Sequence, residues 1–253
     1  MEFFDSHAHY NDEKFEQDRK EIINSIYEEG IKRVICVGYN LEQSKKALDF
    51  SKEFHFMHAT CGISPNDIED FVENNLREIE EIGKDSKIVA IGEIGLDYYW
   101  NKGNKDKQKE LFIKQIEIAN KLDKPIVIHT RDAAVDTIEI LKKYPVNKKG
   151  IFHCCPLNQE LIKEGLKLGY YISFSGNVTF KNAKSESCIS LVPLDKILIE
   201  TDSPYLSPEP FRGKRNDSRN VKLVAQKIAE IKGISLEEVA KITYENASKI
   251  YQI

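Results

Sequence analysis

The sequence predicts a (β/α)8 TIM barrel, an α/β fold in which eight parallel strands close on themselves. Three observations carry that prediction. Short apolar runs alternate with longer amphipathic ones over almost the whole chain, and parallel strands, buried on both faces, read as continuous apolar runs. Eight such β-then-α units fit into 253 residues, the usual size of one barrel. The first strand is followed by a His-Ala-His step, where a doubly wound open sheet usually carries a glycine-rich phosphate loop. At 41% hydrophobic the chain can bury a large core. No linker, repeat or low-complexity tract divides it, so residues 1–253 are expected to form a single domain.

In chain order, EFFDSH (2–7) is the first strand, followed by a helical pattern over 16–29. KRVICVG (32–38) and FHFMHATCGI (54–63) are the second and third strands, with helical spacing over 41–52 and 70–83 behind them. IVAIGEIG (88–95) and PIVIHT (125–130) follow, each before an amphipathic stretch (106–122 and 133–143). GIFHCC (150–155), YYISFSG (170–176) and KILIETD (196–202) complete the set, the last stopped by Pro204. Residues 204–220 form the longest irregular stretch, and helices over 221–231 and 236–250 close the chain. The last has Ser235 as its expected N-cap and Glu238 in the capping-box position.

A net charge of −4 excludes a surface coated in positive charge, as a broad nonspecific nucleic-acid binder would have, and leaves room for a local basic groove. Cysteines 36, 61, 154, 155 and 188 show no CxxC spacing, so reduced thiols in a cytoplasmic protein are expected. With no basic leader and no apolar run of membrane-spanning length, a soluble, unsecreted protein without a membrane partner is expected.

In a barrel the active site is built on the C-terminal ends of the strands. His7 and His9 end the first strand, and residues i and i+2 of a strand share a side. Glu93 and Asp97 end the fourth strand, His129 the fifth, His153 the sixth and Asp202 the eighth. A lone HxH reads best as a polar turn. Five strands delivering imidazole or carboxylate to one rim read as a metal centre. The donors suit Zn²⁺, Mn²⁺ or Mg²⁺ and are too many for one ion, so two divalent ions sharing a carboxylate are expected.

DSHAH (5–9), GEIGLDYY (92–99), HTR (129–131), HC (153–154) and TDSPYL (201–206), in this order, resemble the TatD-type metal-dependent deoxyribonucleases of the amidohydrolase-like hydrolases. The similarity runs from Phe4 to the C-terminus and includes RGKRN (212–216). It implies a barrel with a two-metal centre that cleaves DNA phosphodiesters, often as a 3′→5′ exonuclease on single strands. Carried over, His7, His9 and Asp202 hold one ion, His129 and His153 the other, and Glu93 bridges them. Three positions depart from the family pattern: Ser64 for histidine, Cys155-Pro156-Leu157 for an aromatic-Ser-Gly run, and Ser218 for proline. All are expected in the substrate grip, so they bear on preference more than on chemistry.

Asp202 is the expected general base, with Glu93 as the other catalytic carboxylate. Asp5 is expected either to orient a neighbouring ligand or to cap the strand-end turn. Arg131, Arg212 and Arg215 are candidates for phosphate contact, and Tyr98 and Tyr205 for stacking on bases of single-stranded DNA. The competing reading is rim packing and a solvated loop. Cys154 and Cys155 are read as small core residues, and His55 and His58, at the far end of the third strand, as structural. The expected partner is DNA and the expected state a monomer. The alternative function is hydrolysis of a small ester, amide or phosphoester on the same metal cage.

Overall fold

A computed structural model describes residues 1–253. Its eight strands are parallel and hydrogen-bonded in chain order: β1 (Phe3–Ala8), β2 (Ile31–Val37), β3 (Met57–Cys61), β4 (Ile88–Asp97), β5 (Ile126–Arg131), β6 (Gly150–Phe152), β7 (Tyr171–Phe174) and β8 (Ile197–Ile199). The helices between them are α1 (Arg19–Glu28), α2 (Leu41–Glu53), α3 (Glu73–Ile82), α4 (Lys105–Lys121), α5 (Ala134–Lys143), α6 (Gln159–Lys167) and α7 (Ser185–Ile189). Two more, α8 (Val221–Lys232) and α9 (Leu236–Tyr251), follow β8. The seam closes just past β8, where Asp202 N–H donates to the His7 carbonyl (2.9 Å) and His9 N–H to the Ser203 carbonyl (2.7 Å). This is the (β/α)8 barrel the sequence predicts.

Strand alternation sorts the core into two layers. Val34, Cys36, Ile91, Ile126, Ile128, Ile172, Phe174, Ile197 and Ile199 belong to the large apolar cluster shared with the helices. Their neighbours of opposite parity, among them Phe4, Ile35, Val37, Val127, Ile151, Tyr171 and Leu198, fill the barrel interior. Ala247, Ile250 and Tyr251 of α9 join that inner cluster. Tyr251 reaches Ser6, its hydroxyl donating to the Ser6 carbonyl (2.9 Å), so the last helix plugs the barrel. Ser235 caps α9 as expected, its Oγ accepting from Glu238 N–H (3.1 Å).

The elements differ from the sequence reading mainly at their ends. The stretch before α1 turns once as a 3₁₀ helix over Glu13–Phe15, capped by Asp12, so α1 starts at Arg19. Likewise Pro65–Asp70 forms a 3₁₀ helix ahead of α3. Helices α6 and α7 go beyond the sequence reading; α6 is capped by Asn158, whose side chain accepts from Glu160 and Leu161 N–H. Strands β6 and β8 are shorter than their apolar runs and stop at Phe152 and Ile199. His153 therefore lies just past its strand and Asp202 in the loop beyond.

That loop position has a backbone reason. Asp132, Cys154 and Asp202, after β5, β6 and β8, all adopt left-handed conformations (φ 54°, 37° and 56°). Such residues turn the chain abruptly, and Asp tolerates the conformation better than most. Gly95 lies inside β4 at φ 139°, where an added Cβ would stand 2.0 Å from the His129 carbonyl oxygen. Only glycine lets β4 lie that close to β5.

Candidate metal centre

The six expected donors meet at the C-terminal mouth of the barrel. His7 Nε2 and His9 Nε2 are 3.1 Å apart. Glu93 Oε2 lies 3.6 Å from His7 Nε2 and 3.7 Å from His9 Nε2; Asp202 Oδ1 lies 3.6 and 3.4 Å from the same two atoms. On the other side, Glu93 Oε1 is 3.0 Å from His129 Nδ1 and 3.5 Å from His153 Nε2, and those two nitrogens are 3.2 Å apart. One carboxylate thus gives one oxygen to each of two donor groups. Backbone bonds fix the arrangement: the seam locks His7 and His9 to the Asp202 loop, Glu93 N–H donates to the Gly38 carbonyl (2.8 Å), and His153 N–H to the Ile128 carbonyl (3.1 Å).

The donor chemistry fits cations. His9 Nδ1–H donates to the Val37 carbonyl (3.0 Å), His129 Nε2–H to Asp97 Oδ2 (3.0 Å) and His153 Nδ1–H to Glu200 Oε1 (3.3 Å). With those hydrogens turned outward, the second ring nitrogen of each faces inward, where it can give its lone pair to an ion. Such outer partners are the usual companions of metal-bound histidine. In the first group His7 and His9 lie 3.1 Å from each other and 3.4–3.7 Å from a Glu93 and an Asp202 oxygen, close enough for one ion to be shared among them. Burial opposes ionisation of Glu93, but His153, His129 and His7 outweigh it and hold its carboxyl well below the usual range. Asp202 is lowered too, its burial overcome by the His9 hydrogen bond and the charges of His7 and His153.

The centre forms the floor of a cavity of about 680 Å³. Arg131 and Tyr205 line it, together with Tyr39, Ser64, Asn66, Asp67, Asp97, Trp100, Cys154, Pro156 and Asn177. The Arg131 guanidinium stands 3.9 Å from the Tyr99 ring centroid and 5.5 Å from that of Trp100. Lys14 lies 4.2 Å above Tyr205, whose hydroxyl donates to Asp12 Oδ2 (2.6 Å). The other substrate candidates lie outside this wall. Tyr98 is buried, with its hydroxyl on Asp136 Oδ2 (2.5 Å). Arg212 sits over Phe180 at 4.2 Å. Arg215 forms a two-pronged ion pair with Asp18 (2.8 and 2.5 Å) and also donates to the Lys14 carbonyl (2.7 Å).

Several expectations need correction. Ser218 does not face substrate: it is buried, receives the Tyr10 hydroxyl hydrogen (2.8 Å) and donates to Asp5 Oδ2 (2.6 Å). Asp5 also accepts from Thr201 N–H (2.9 Å), so it ties β1 to the Asp202 loop rather than touching a ligand ring. Burial raises the Asp5 carboxyl to about 7. Cys155 is core, but Cys154 lines the cavity, its sulfur 3.1 Å from Ser175 Oγ. Sequence reasoning left Glu200 out and gave Asp97 no role. Their signal was a carboxylate inside or ending an apolar run, GLD and IETD.

A family model described as TatD related DNase matches residues 4–252. The chain belongs to that family. It is 44% identical over 252 residues to YabD of Bacillus subtilis (strain 168), named an uncharacterized metal-dependent hydrolase, with 99% of each chain covered. It is 36% identical over 258 residues to YcfH of Escherichia coli (strain K12), of the same description, covering 100% of this chain and 97% of that one. Membership places the chain among metal-dependent hydrolases. The crystal structure of YJJV, a TatD homolog from Escherichia coli K12, superposes with a TM-score of 0.94 at 23% identity, over 99% and 98% of the two chains. At that identity the match shows the shared barrel.

Proposed function

We propose that this hydrolase cleaves phosphodiester bonds in DNA, working from the 3′ end of single strands with two divalent ions. The observation that carries the reading is the division of Glu93 between two donor groups, one oxygen to each. His7, His9, Glu93 and Asp202 would hold one ion, and Glu93, His129 and His153 the other. Bound there, the ions supply a lowered pKa for water and positive charge against the phosphoryl oxygens. Asp202, ionised at neutral pH and facing the cavity, accepts the proton of the attacking water. Arg131 donates to a phosphate oxygen, and Trp100 and Tyr205 offer aromatic faces to bases. The 3′→5′ direction and the choice of DNA rest on family resemblance. The protein is taken to act as a monomer in the cytoplasm, where its five free thiols stay reduced.

One observation favours a smaller substrate. Arg131 is the only Lys or Arg lining the cavity, against four carboxylates, and about 680 Å³ is the size of a small-molecule site. The test is release of acid-soluble nucleotides from end-labelled single-stranded DNA with Mg²⁺ or Mn²⁺, beside a panel of small esters, amides and phosphoesters. Nucleotide release from 5′-labelled strands, shortening from the 3′ end, supports the proposal. Turnover of a small ester or amide with intact DNA overturns it in favour of the second reading.

A further inference from the structure

Beneath the donor atoms lies a carboxylate that the hydrolysis just described does not use. Glu200, just past β8, is fully buried. Its Oε1 accepts from His153 Nδ1–H (3.3 Å) and from Cys154 N–H (2.6 Å). Its Oε2 has no partner, and neither does Nδ1 of His7, though both atoms are buried. One ring nitrogen of His7, one of His153 and a Glu200 carboxylate oxygen all lie within 4.8 Å of one another. The two rings stack with centroids 4.0 Å apart and planes 11° from parallel. One of these histidines belongs to each donor group.

A buried donor or acceptor left dry costs roughly 1–3 kcal/mol. One water placed between His7 Nδ1 and Glu200 Oε2 would satisfy both atoms at once, and buried waters occupy such polar gaps. The remaining histidines are served separately: Asp97 holds His129 alone, and the Val37 carbonyl holds His9.

We propose that Glu200 is a positioning residue shared by the two halves of the centre, holding His153 directly and His7 through one buried water. It fixes both imidazoles with Nε2 turned toward the ions, and its charge makes both better ligands. Glu93 joins the two groups from the cavity side, and Glu200 joins them from below. This inference rests on the two-ion reading given above.

Calorimetric titration of the metal-stripped, full-length protein with Mn²⁺ tests it. Wild type is expected to take up two ions. Glu200→Gln keeps the side-chain shape and an acceptor for Cys154 N–H but removes the charge. Affinity for both ions is expected to fall by about 10–100-fold, the usual effect of losing an outer partner, whereas Asp97→Asn weakens only one. Unchanged affinities in Glu200→Gln would overturn the proposal, and so would weakening of a single ion, which would leave Glu200 serving His153 alone. Uptake of fewer than two ions by wild type would instead bring down the two-ion reading. Should Glu200→Gln fail to fold, a high-resolution crystal structure of wild type decides. An ordered water within hydrogen-bonding distance of His7 Nδ1 and Glu200 Oε2 supports the shared role, and a dry gap there contradicts it.

Discussion

Asp202 faces both the ion-binding atoms and the cavity, so holding an ion and moving a proton have to be separated by chemistry. Asp202→Asn keeps the size and one ligating oxygen but gives up the basic one. A general base contributes about 10²–10⁴-fold, so turnover is expected to fall by that order while single-stranded DNA still binds. Excess metal restores a His7 substitution in part but not this one. Near-normal turnover of Asp202→Asn at saturating metal would show that another group takes the proton. The arginines separate in the same way. Arg131 lines the cavity, whereas Arg215 is already neutralised by Asp18. Arg131→Ala is expected to weaken DNA binding and flatten its salt dependence by about one counterion, and Arg215→Ala to leave the slope unchanged. Measuring affinity across a salt series for both variants checks this.

Among the elements, β4 carries the most constraint, because it supplies Glu93 and Asp97 and runs hard against β5. Gly95 makes that contact possible. Gly95→Ala is expected to cost at least about 1–3 kcal/mol from its backbone conformation alone, measured by denaturant unfolding. It should also weaken the ion held by His129, whose carbonyl the new methyl group strikes. The strands were legible because each is a short, mostly apolar run, and His7, His9, Glu93, His129 and His153 because each sits at or near the end of one. The short endings of β6 and β8 were not legible, since a left-handed residue such as Cys154 or Asp202 leaves no mark on hydropathy. Glu200 escaped for a related reason. Its role depends on which face it presents and on His153, which lies 47 residues away in sequence and within hydrogen-bonding distance in space. The partners that Arg215 and Ser218 take, Asp18 for the first and Tyr10 and Asp5 for the second, come from the other end of the chain, so sequence spacing did not show them.

Across the whole molecule, the proposed function puts the chemistry at the mouth of the barrel and leaves the opposite end free to serve stability. His58, on β3, shows the second role. Burial, helped by the charges of Lys87 and Arg33, pushes it down to about 4. Its folded value is below the ordinary 6.5, so between those values the unfolded chain binds more protons. Stability present above pH 6.5 is therefore lost as pH falls toward 4. Thermal unfolding from pH 7 to 4.5 should show a smaller acid loss in His58→Gln than in wild type, and equal losses would remove His58 from the account. No helix is long and apolar enough to cross a membrane, and the last helix is committed to plugging the barrel. The proposed chemistry rests on the pair of donor groups joined through Glu93. Anomalous diffraction from crystals of the Mn²⁺-loaded protein tests that most directly. The account predicts two peaks, one among His7, His9 and Asp202 and one between His129 and His153, with one Glu93 oxygen on each. A single peak, or a Glu93 bound to one ion only, would contradict it.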